Sequence, residues 1–154
     1  MCTEGLIGIR ENTAVDLGTG TGQVAFKLVE KYRKVIGFDT SEQQLEAARK
    51  AWESSVQSKS TSSEIIFAKG NSENILLGDS TADLITVAQA LHWFDLNLFY
   101  PEAHRVLKER GTLAIWGYDK PVIEGLYNMY VCVCMYVCMY LVNWHLKTCL
   151  YCIY

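Results

Sequence analysis

The sequence predicts an α/β fold built on a doubly wound parallel sheet. Two observations support this prediction. Short apolar runs of strand length alternate with stretches whose apolar residues recur at helical spacing. Several of the short runs end in an acid or a glycine-rich turn, as expected where buried strands pass into loops. Strands that alternate with helices in this way form parallel sheets with helices on both faces.

The predicted elements follow one another in regular order. Short apolar runs predict the strands, and apolar residues three or four positions apart predict the helices. The second helix, for example, has Leu45, Ala48 and Trp52 on one face, and Gly111 is expected to cap the end of the last helix. The predicted strands are 13–17, 34–39, 64–68, Ala82–Ala88 and 112–116, and the predicted helices are 23–32, 41–52, 96–99 and 102–108.

The loop after the first strand carries the strongest functional signal. Asp16 lies near the end of the apolar run, and Gly18, Gly20 and Gly22 follow at every second position. Glycines there allow positive φ and let the backbone approach a ligand closely. The carboxyl end of a strand in an open α/β sheet is also where nucleotide-like ligands bind. A tight strand-to-helix turn without a ligand is the alternative interpretation.

The second strand ends in Asp39, which lies 17 residues beyond Gly22. This is close to the spacing of about 20 residues at which a carboxylate binds the ribose of a nucleotide. An ionised carboxylate is an acceptor only, and its two oxygens suit two neighbouring ribose hydroxyls. A helix-capping acid is the alternative, although Thr40 and Ser41 already offer caps. We therefore expect Asp39 to bind a ribose, with Thr40 beside it in the same site.

The glycine spacing also indicates which nucleotide is bound. A dinucleotide fingerprint would need its third glycine at Gln23. The pattern D-x-G-x-G-x-G over residues 16–22 instead resembles the first motif of class I S-adenosylmethionine-dependent methyltransferases. The resemblance covers about residues 13–118 and implies a Rossmann-like sheet of strand order 3-2-1-4-5 with S-adenosyl-L-methionine as cofactor. It places a five-residue set at the cofactor site: Asp16, Gly18, Thr19, Gly20 and Gly22.

The same resemblance assigns residues after the third and fourth strands. Asn71 and Ser72 occupy the positions that meet adenine, and an Asn carbonyl oxygen can accept from the adenine amine where the family more often has Asp. A simple turn is the alternative there. The stretch Ala-Gln-Ala-Leu-His-Trp-Phe at 88–94 resembles methyltransferase type-11 domains near trans-aconitate methyltransferase, and implies that Gln89 and Ala90 contact the cofactor. His92 is the one candidate catalytic base or acceptor contact, with a packed loop histidine as the alternative.

Composition excludes several other classes. The chain has 154 residues and a net charge of −3, and its scattered basic residues predict no nucleic-acid partner. Residues 1–10 resemble neither a signal peptide nor a transit peptide. Only Cys2 lies outside the C-terminal tail, which favours a reduced, cytoplasmic protein. We expect no metal site, because the tail cysteines lack the paired spacing of zinc sites.

The tail, residues 126–154, differs in character from the rest. It contains five of the six cysteines but a single charged residue, Lys147, and its Val-Cys-Met-Tyr unit recurs every four residues. This period fits neither a strand nor a heptad, and a repeated tetranucleotide read in triplets would encode it. We therefore expect an incomplete domain at 1–125, a tail outside the fold, no sixth or seventh strand, and an exposed edge on the fifth. The uncharged run 129–142 is also shorter than the roughly 20 residues that span a membrane.

These observations predict transfer of a methyl group from S-adenosylmethionine to a small-molecule acceptor, with a carboxylate as the favoured acceptor class. A carboxylate oxygen is already a nucleophile, so the absence of an obvious catalytic dyad is compatible with this reaction. Two alternatives remain at this point. The first is a non-catalytic, donor-binding remnant of such an enzyme. The second is an NAD-dependent oxidoreductase, which is less favoured because Gln23 stands where the dinucleotide fingerprint has a glycine.

Overall fold

The computed structural model describes residues 11–56, 62–117, 138–143 and 148–150. These residues form a single sheet whose strands are β1 (Glu11–Leu17), β2 (Tyr32–Asp39), β3 (Glu64–Lys69), β4 (Ala82–Ala88), β5 (Leu107–Gly117), β6 (Cys138–Asn143) and β7 (Thr148–Leu150). The strand order is β3-β2-β1-β4-β5-β6-β7. The first five strands run parallel, and β6 is antiparallel to both β5 and β7. The predicted parallel sheet with strand order 3-2-1-4-5 is confirmed.

Helices cover both faces of this sheet. They are α1 (Gln23–Leu28), α2 (Glu42–Val56) and α3 (Leu96–Val106), with a short 3-10 helix at Leu91–Trp93. Two buried clusters result, one beneath α1 and α2 and one beneath α3. The first contains Ala14, Ala25, Val35, Leu45 and Ala48. The second contains Val15, Ile85, Phe99, Ala103 and Val106.

The sequence of β1 explains why it lies inside the sheet, between β2 and β4. Ala14 and Val15 are both fully buried although they point to opposite faces. A strand that is buried on both sides needs a continuous apolar run, which is typical of parallel sheets covered by helices. Because β1 to β4 are parallel, their carboxyl ends meet at one edge of the sheet. The loops that follow these ends form the candidate site.

Several predicted boundaries were wrong, among them the start of the fifth strand, which begins at Leu107. The first helix ends at Leu28, since β2 already begins at Tyr32. The helices predicted at 96–99 and 102–108 are one helix, α3, with Pro101 inside it. Its buried face continues across the proline from Phe99 to Ala103, so packing offsets the hydrogen bond that proline cannot make.

Gly111 does not cap a helix as predicted. It lies within β5, where a Cβ would come within 2.8 Å of Cδ2 of Leu107 and 3.0 Å of the Ala82 carbonyl oxygen. The pairing of β4 with β5 shifts register at this place, between Ala82 and Leu84. Close approach of two backbones at this irregularity is therefore what requires glycine.

The prediction that β5 forms an exposed edge was also wrong. Residues Cys138–Asn143 pair with it in antiparallel register, from Leu113 opposite Val142 to Gly117 opposite Cys138. Residues Thr148–Leu150 then pair with β6. The unpaired N–H and C=O groups of an edge strand readily accept another uncharged, β-forming segment, and the tail supplies one. The sixth and seventh strands expected to be missing thus come from the tail. The boundary between residues 125 and 126 stays a prediction, and the rest of the tail lies outside the described residues.

Within the described part of the chain, no helix has the length and hydropathy needed to cross a membrane. The same residues contain no group of three or more His, Cys, Asp or Glu side chains placed to hold a metal ion.

Candidate functional site

The loop between β1 and α1 takes a backbone shape that favours glycine. Gly18, Gly20 and Gly22 have φ values of +67°, +53° and +84°, a region that other residues adopt only at a cost. Gly18 is also tightly packed, since a Cβ there would lie 2.5 Å from the Cβ of Ala90. Around Gly20, by contrast, a Cβ would meet no atom within 4 Å beyond its chain neighbours. The loop is therefore closed against Ala90 at Gly18 and open at Gly20.

Asp16 is buried beneath this loop, with 1% of its surface exposed. Its Oδ1 accepts a 2.7 Å hydrogen bond from the hydroxyl of Thr86 on β4. Its Oδ2 accepts another, also 2.7 Å, from the hydroxyl of Thr19 in the loop. Burial raises the pKa of Asp16 to about 6, because the cost of desolvation exceeds the stabilisation from these bonds. Asp16 thus connects Thr19 of the glycine loop to Thr86 of β4.

Asp39 connects the ends of β1 and β2. Its Oδ2 accepts a 2.8 Å hydrogen bond from the backbone N–H of Gly20, and its Oδ1 accepts one of 2.9 Å from the N–H of Ser41. The backbone N–H of Thr19 also donates to the carbonyl of Phe38 at 3.0 Å. A carboxylate has about four acceptor positions, so these two bonds leave capacity on both oxygens. Asp39 is therefore held in place and can still accept hydrogen bonds from a ligand.

A cavity of about 610 Å³ lies where the first four strands end. Its volume is in the range of sites that enclose one small ligand. Each of the four strand ends contributes residues that the sequence predicted. These are Gly18 and Gly20 after β1, Asp39 as the last residue of β2 with Thr40 after it, Asn71 and Ser72 after β3, and Gln89 and Ala90 after β4.

Residues 70–81 connect β3 to β4, and the first four of them line one side of the cavity. The Oδ1 of Asn71 accepts a 2.9 Å hydrogen bond from the N–H of Asn74, which closes a tight turn. Ser72 is buried, and its hydroxyl donates to Oε1 of Glu73 at 2.9 Å. The same Glu73 oxygen accepts from the N–H of Asp95 at 3.0 Å, where α3 begins. The turn that presents Asn71 and Ser72 is thus attached to α3.

The opposite side of the cavity follows β4. Gln89 adopts a positive φ of 57°, and its N–H donates to the carbonyl of Trp116 at 2.9 Å. Such backbone strain in a non-glycine residue is common at functional sites. Trp93 lines the cavity although 79% of its surface is exposed, while Phe94 packs edge-on against Phe99 with ring centroids 5.1 Å apart. At this rim the Phe94 side chain is therefore fixed by packing, whereas the exposed Trp93 side chain is available to a ligand.

Four predicted site residues do not line the cavity. Asp16, Thr19 and Gly22 lie in or beneath the glycine loop and shape it. His92 is exposed, and its ring centroid lies 4.8 Å from that of Trp93. The part proposed for His92 in catalysis therefore stays a prediction.

Sequence reasoning missed several residues of the site. Thr86 is a hydroxyl side chain with apolar residues on both sides of it in β4, and it lies directly opposite Asp16 in the register of β4 on β1. That isolated polar position was a signal that could have identified it. Glu73 and Gln44 carried no comparable signal, because charged and amide side chains in loops and on helices are ordinary surface residues. The remaining unpredicted lining residues are Leu17, Phe38, Ser41, Gly70 and Ala88.

Comparison with known proteins agrees with this geometry. The family model described as "Methyltransferase domain" matches residues 15–115. A Dictyostelium discoideum protein named as a methyltransferase is 39% identical over 109 residues, covering 71% of this chain and 37% of its own length. A Saccharomyces cerevisiae protein named as an S-adenosylmethionine-dependent methyltransferase is 31% identical over 108 residues, covering 70% of this chain and 36% of its own length. The chain thus spans little more than a third of these two relatives.

A solved structure shows the same fold. The YcgJ protein of Bacillus subtilis matches with a TM-score of 0.65 and 25% sequence identity, over 71% of this chain and 45% of its own. The family match begins in β1 and ends in β5, so it contains all four strand ends that form the cavity. S-adenosylmethionine is the cofactor that this family implies. The chain belongs to the methyltransferase domain family.

Proposed function

We propose that this protein binds S-adenosylmethionine in the 610 Å³ cavity and transfers its methyl group to a small-molecule acceptor, with a carboxylate as the acceptor class. The observation that carries the proposal is the convergence of four strand ends on one cavity. A glycine loop, an acid with free acceptor capacity, an Asn-Ser turn and an apolar rim meet there. Each has a counterpart in the chemistry of the donor, which combines an amino acid, a ribose and an adenine.

The residues present fit this cofactor. Gly20 leaves open space where a larger residue would place a Cβ, so the backbone of the loop can approach a ligand. Asp39 retains acceptor capacity on both oxygens, which suits two adjacent hydroxyls. We assign the ribose to Asp39 and Thr40, adenine to Asn71 and Ser72, and the amino-acid part to the glycine loop. Gln89 and Ala90 close the site from β4.

Asp16, Thr19 and Gly22 contribute through the shape of the loop. Because Asp16 is buried and bonded to two hydroxyls, its carboxyl fixes the loop rather than binding the donor directly. A glycine loop that is held at Thr19 and Gly20 needs little reorganisation when a ligand binds. Preorganisation of this kind lowers the cost of binding.

The transfer step needs alignment more than acid–base chemistry. S-adenosylmethionine, when bound, supplies a methyl group on a positively charged sulfur. A carboxylate acceptor already has the electron pair that forms the new bond, so the protein need not remove a proton. Its residues contribute by holding donor and acceptor in line and by excluding water, a task that suits Trp93 and Phe94. For an acceptor that must lose a proton, His92 beside Trp93 is the candidate base.

A methyl-transfer assay tests this proposal. The protein is incubated with S-adenosylmethionine labelled in its methyl group and a panel of small carboxylic acids, each paired with its amide. Labelled esters from the acids and no product from the amides are expected. Donor binding without transfer to any acceptor would support the alternative of a non-catalytic, donor-binding protein. Absence of donor binding, with binding of NADH instead, would overturn the proposal. Because Cys2 is the single cysteine outside the tail, we place the protein in the cytoplasm, and the assays therefore use reducing conditions.

A further inference from the structure

We propose that Arg105, together with Glu102, is a positioning residue for the cofactor. In this proposal the two side chains clamp the connection 70–81, here called the adenine loop, so that Asn71 and Ser72 keep one shape against the cavity. The inference rests on the proposed function, since it assigns a purpose to a network outside the site. Neither Arg105 nor Glu102 lines the cavity, so their substitution can affect binding only indirectly.

The adenine loop has little structure of its own. None of its residues belongs to a helix or a strand, so most of its backbone has no ladder of hydrogen bonds. Segments of this kind open readily unless side chains hold them. An open loop would lower the fraction of molecules whose site is ready for a ligand, and would weaken the observed affinity by the same factor.

Arg105 supplies the holding contacts from α3. Its Nη1 donates to the carbonyl of Leu77 at 2.9 Å and to Oδ1 of Asp79 at 2.6 Å, and its Nη2 donates to the carbonyl of Ile75 at 3.1 Å. Its Nε and Nη2 also donate to the two carboxylate oxygens of Glu102, at 2.8 and 2.6 Å. All five N–H donors of a guanidinium are thereby matched to acceptors. Such a saturated fork fixes orientation in a way that a single ion pair cannot.

Glu102 completes the attachment. Its Oε1 accepts a 2.8 Å hydrogen bond from the N–H of Ile75. Both backbone polar groups of Ile75 are therefore bound by side chains of α3, and the Ile75 side chain itself is 2% exposed. The hydrogen bonds from Arg105 also hold the pKa of Glu102 below its usual value, so the pair stays charged. The loop is thus anchored four residues beyond Asn71.

Two further contacts hold the loop on either side of this anchor. Glu73 accepts from the N–H of Asp95 at the start of α3, and Ser80 donates its N–H to the carbonyl of Arg105 near the end. Asp79 is largely exposed, with 77% of its side chain accessible. Exposed ion pairs contribute little to global stability. We therefore expect the ion pair between Arg105 and Asp79 to affect the conformation of the loop more than the stability of the fold.

Two measurements on Arg105→Gln test this proposal. Hydrogen–deuterium exchange reports opening of the adenine loop in the free protein, and calorimetric titration reports the affinity for S-adenosylhomocysteine. Arg49→Gln is the matched control, because Arg49 also makes a 2.6 Å ion pair, with Glu42, and donates to the carbonyl of Phe67 without touching the adenine loop. Arg105→Lys, which keeps the charge but not the fork, should recover only part of the affinity.

The expected result for Arg105→Gln is faster exchange confined to residues 70–81 and an affinity about tenfold lower. Arg49→Gln should change neither quantity. An affinity within twofold of the wild type would overturn the proposal, as would exchange that rises equally across the sheet. If Arg105→Gln does not fold, Asp79→Ala, which removes the acceptor at an exposed position, tests the clamp instead. Faster loop exchange with about threefold weaker binding would support the clamp, and no change in either would refute it. If the wild type itself fails to bind, the proposed function fails, whereas the exchange data still report on the clamp.

Discussion

The hydroxyl of Thr86 donates a 2.7 Å hydrogen bond to Oδ1 of Asp16, its register partner on the neighbouring strand. Both residues are buried, with 2% and 1% of their surfaces exposed. A polar bridge thus joins β1 to β4 immediately below the glycine loop. Because Thr19 binds the other oxygen of Asp16, this bridge also determines where the loop begins.

Replacement of Thr86 by valine should destabilise the fold measurably. Valine keeps the shape of threonine but removes a hydrogen bond to a buried carboxylate, which costs about 1–3 kcal/mol of unfolding free energy. Urea denaturation at pH 7 measures the change. Thr81→Val is the control, because its hydroxyl donates to the carbonyl of Gly78 at an exposed site, and we expect a change within about 0.5 kcal/mol. Equal losses in the two variants would contradict this account of the bridge.

Asp16 should make the folded protein less stable as the pH rises. An acid that forms an ion pair in the folded state has the opposite effect. Burial raises its pKa from 3.8 to about 6, so the folded state binds a proton more tightly than the unfolded state. The stabilisation from the protonated form is complete below about pH 4 and is lost as the pH rises through about 6. This rise in the pKa corresponds to a loss of about 3 kcal/mol of unfolding free energy across this window.

Comparison of the wild type with Asp16→Asn isolates this effect. The pKa of Glu102 is lowered by its hydrogen bonds with Arg105, so its contribution to stability has the opposite sign, but it is present in both proteins and cancels. Urea denaturation at pH 4, 5, 6 and 7 should show the wild type losing stability relative to the variant as the pH rises. A stability difference that is independent of pH would mean that Asp16 does not titrate in this range.

Alanine at two of the three loop glycines, Gly18 and Gly20, should separate the effect on binding from the effect on stability. Both positions have positive φ, which costs a non-glycine residue roughly 1–2 kcal/mol. At Gly18 the new Cβ also collides with Ala90, so Gly18→Ala should lose about 1–3 kcal/mol more. At Gly20 the Cβ enters open space beside the cavity, so Gly20→Ala should stay folded but bind S-adenosylhomocysteine weakly. Thermal denaturation and calorimetric titration of both variants check this, and normal binding by Gly20→Ala would oppose the proposed orientation of the loop.

Much of the parallel part of the fold could be predicted from local pattern. The second half of β1, residues 14–17, is apolar except for Asp16 and stands directly before a glycine, and burial on both faces of the sheet is what such a segment requires. The site residues that follow strand ends were predictable for the same reason. Parallel strands bring their carboxyl ends together, so Gly18, Asp39 and Gln89 line one cavity although they are far apart in the chain.

What could not be predicted depends on contacts between distant residues. Pro101 normally signals a break, yet the burial of Phe99 and Ala103 on one face keeps α3 continuous. The strand Cys138–Asn143 lies in a segment whose period of four fits no regular element, and its partner β5 supplies the pairing that local sequence does not indicate. The clamp formed by Arg105 joins a helix to a loop whose polar composition resembles any surface turn.

In the proposed function, the cavity binds S-adenosylmethionine through Asp39. Calorimetric titration of S-adenosylhomocysteine into the wild type and Asp39→Asn tests it most directly, with Glu53→Gln, an exposed acid on α2, as the control. We expect binding by the wild type and the control, and an affinity at least tenfold lower in Asp39→Asn, because that change weakens both the hydrogen bond to Gly20 and the acceptor for the ribose. Failure of the folded wild type to bind, or equal binding by Asp39→Asn, would contradict it.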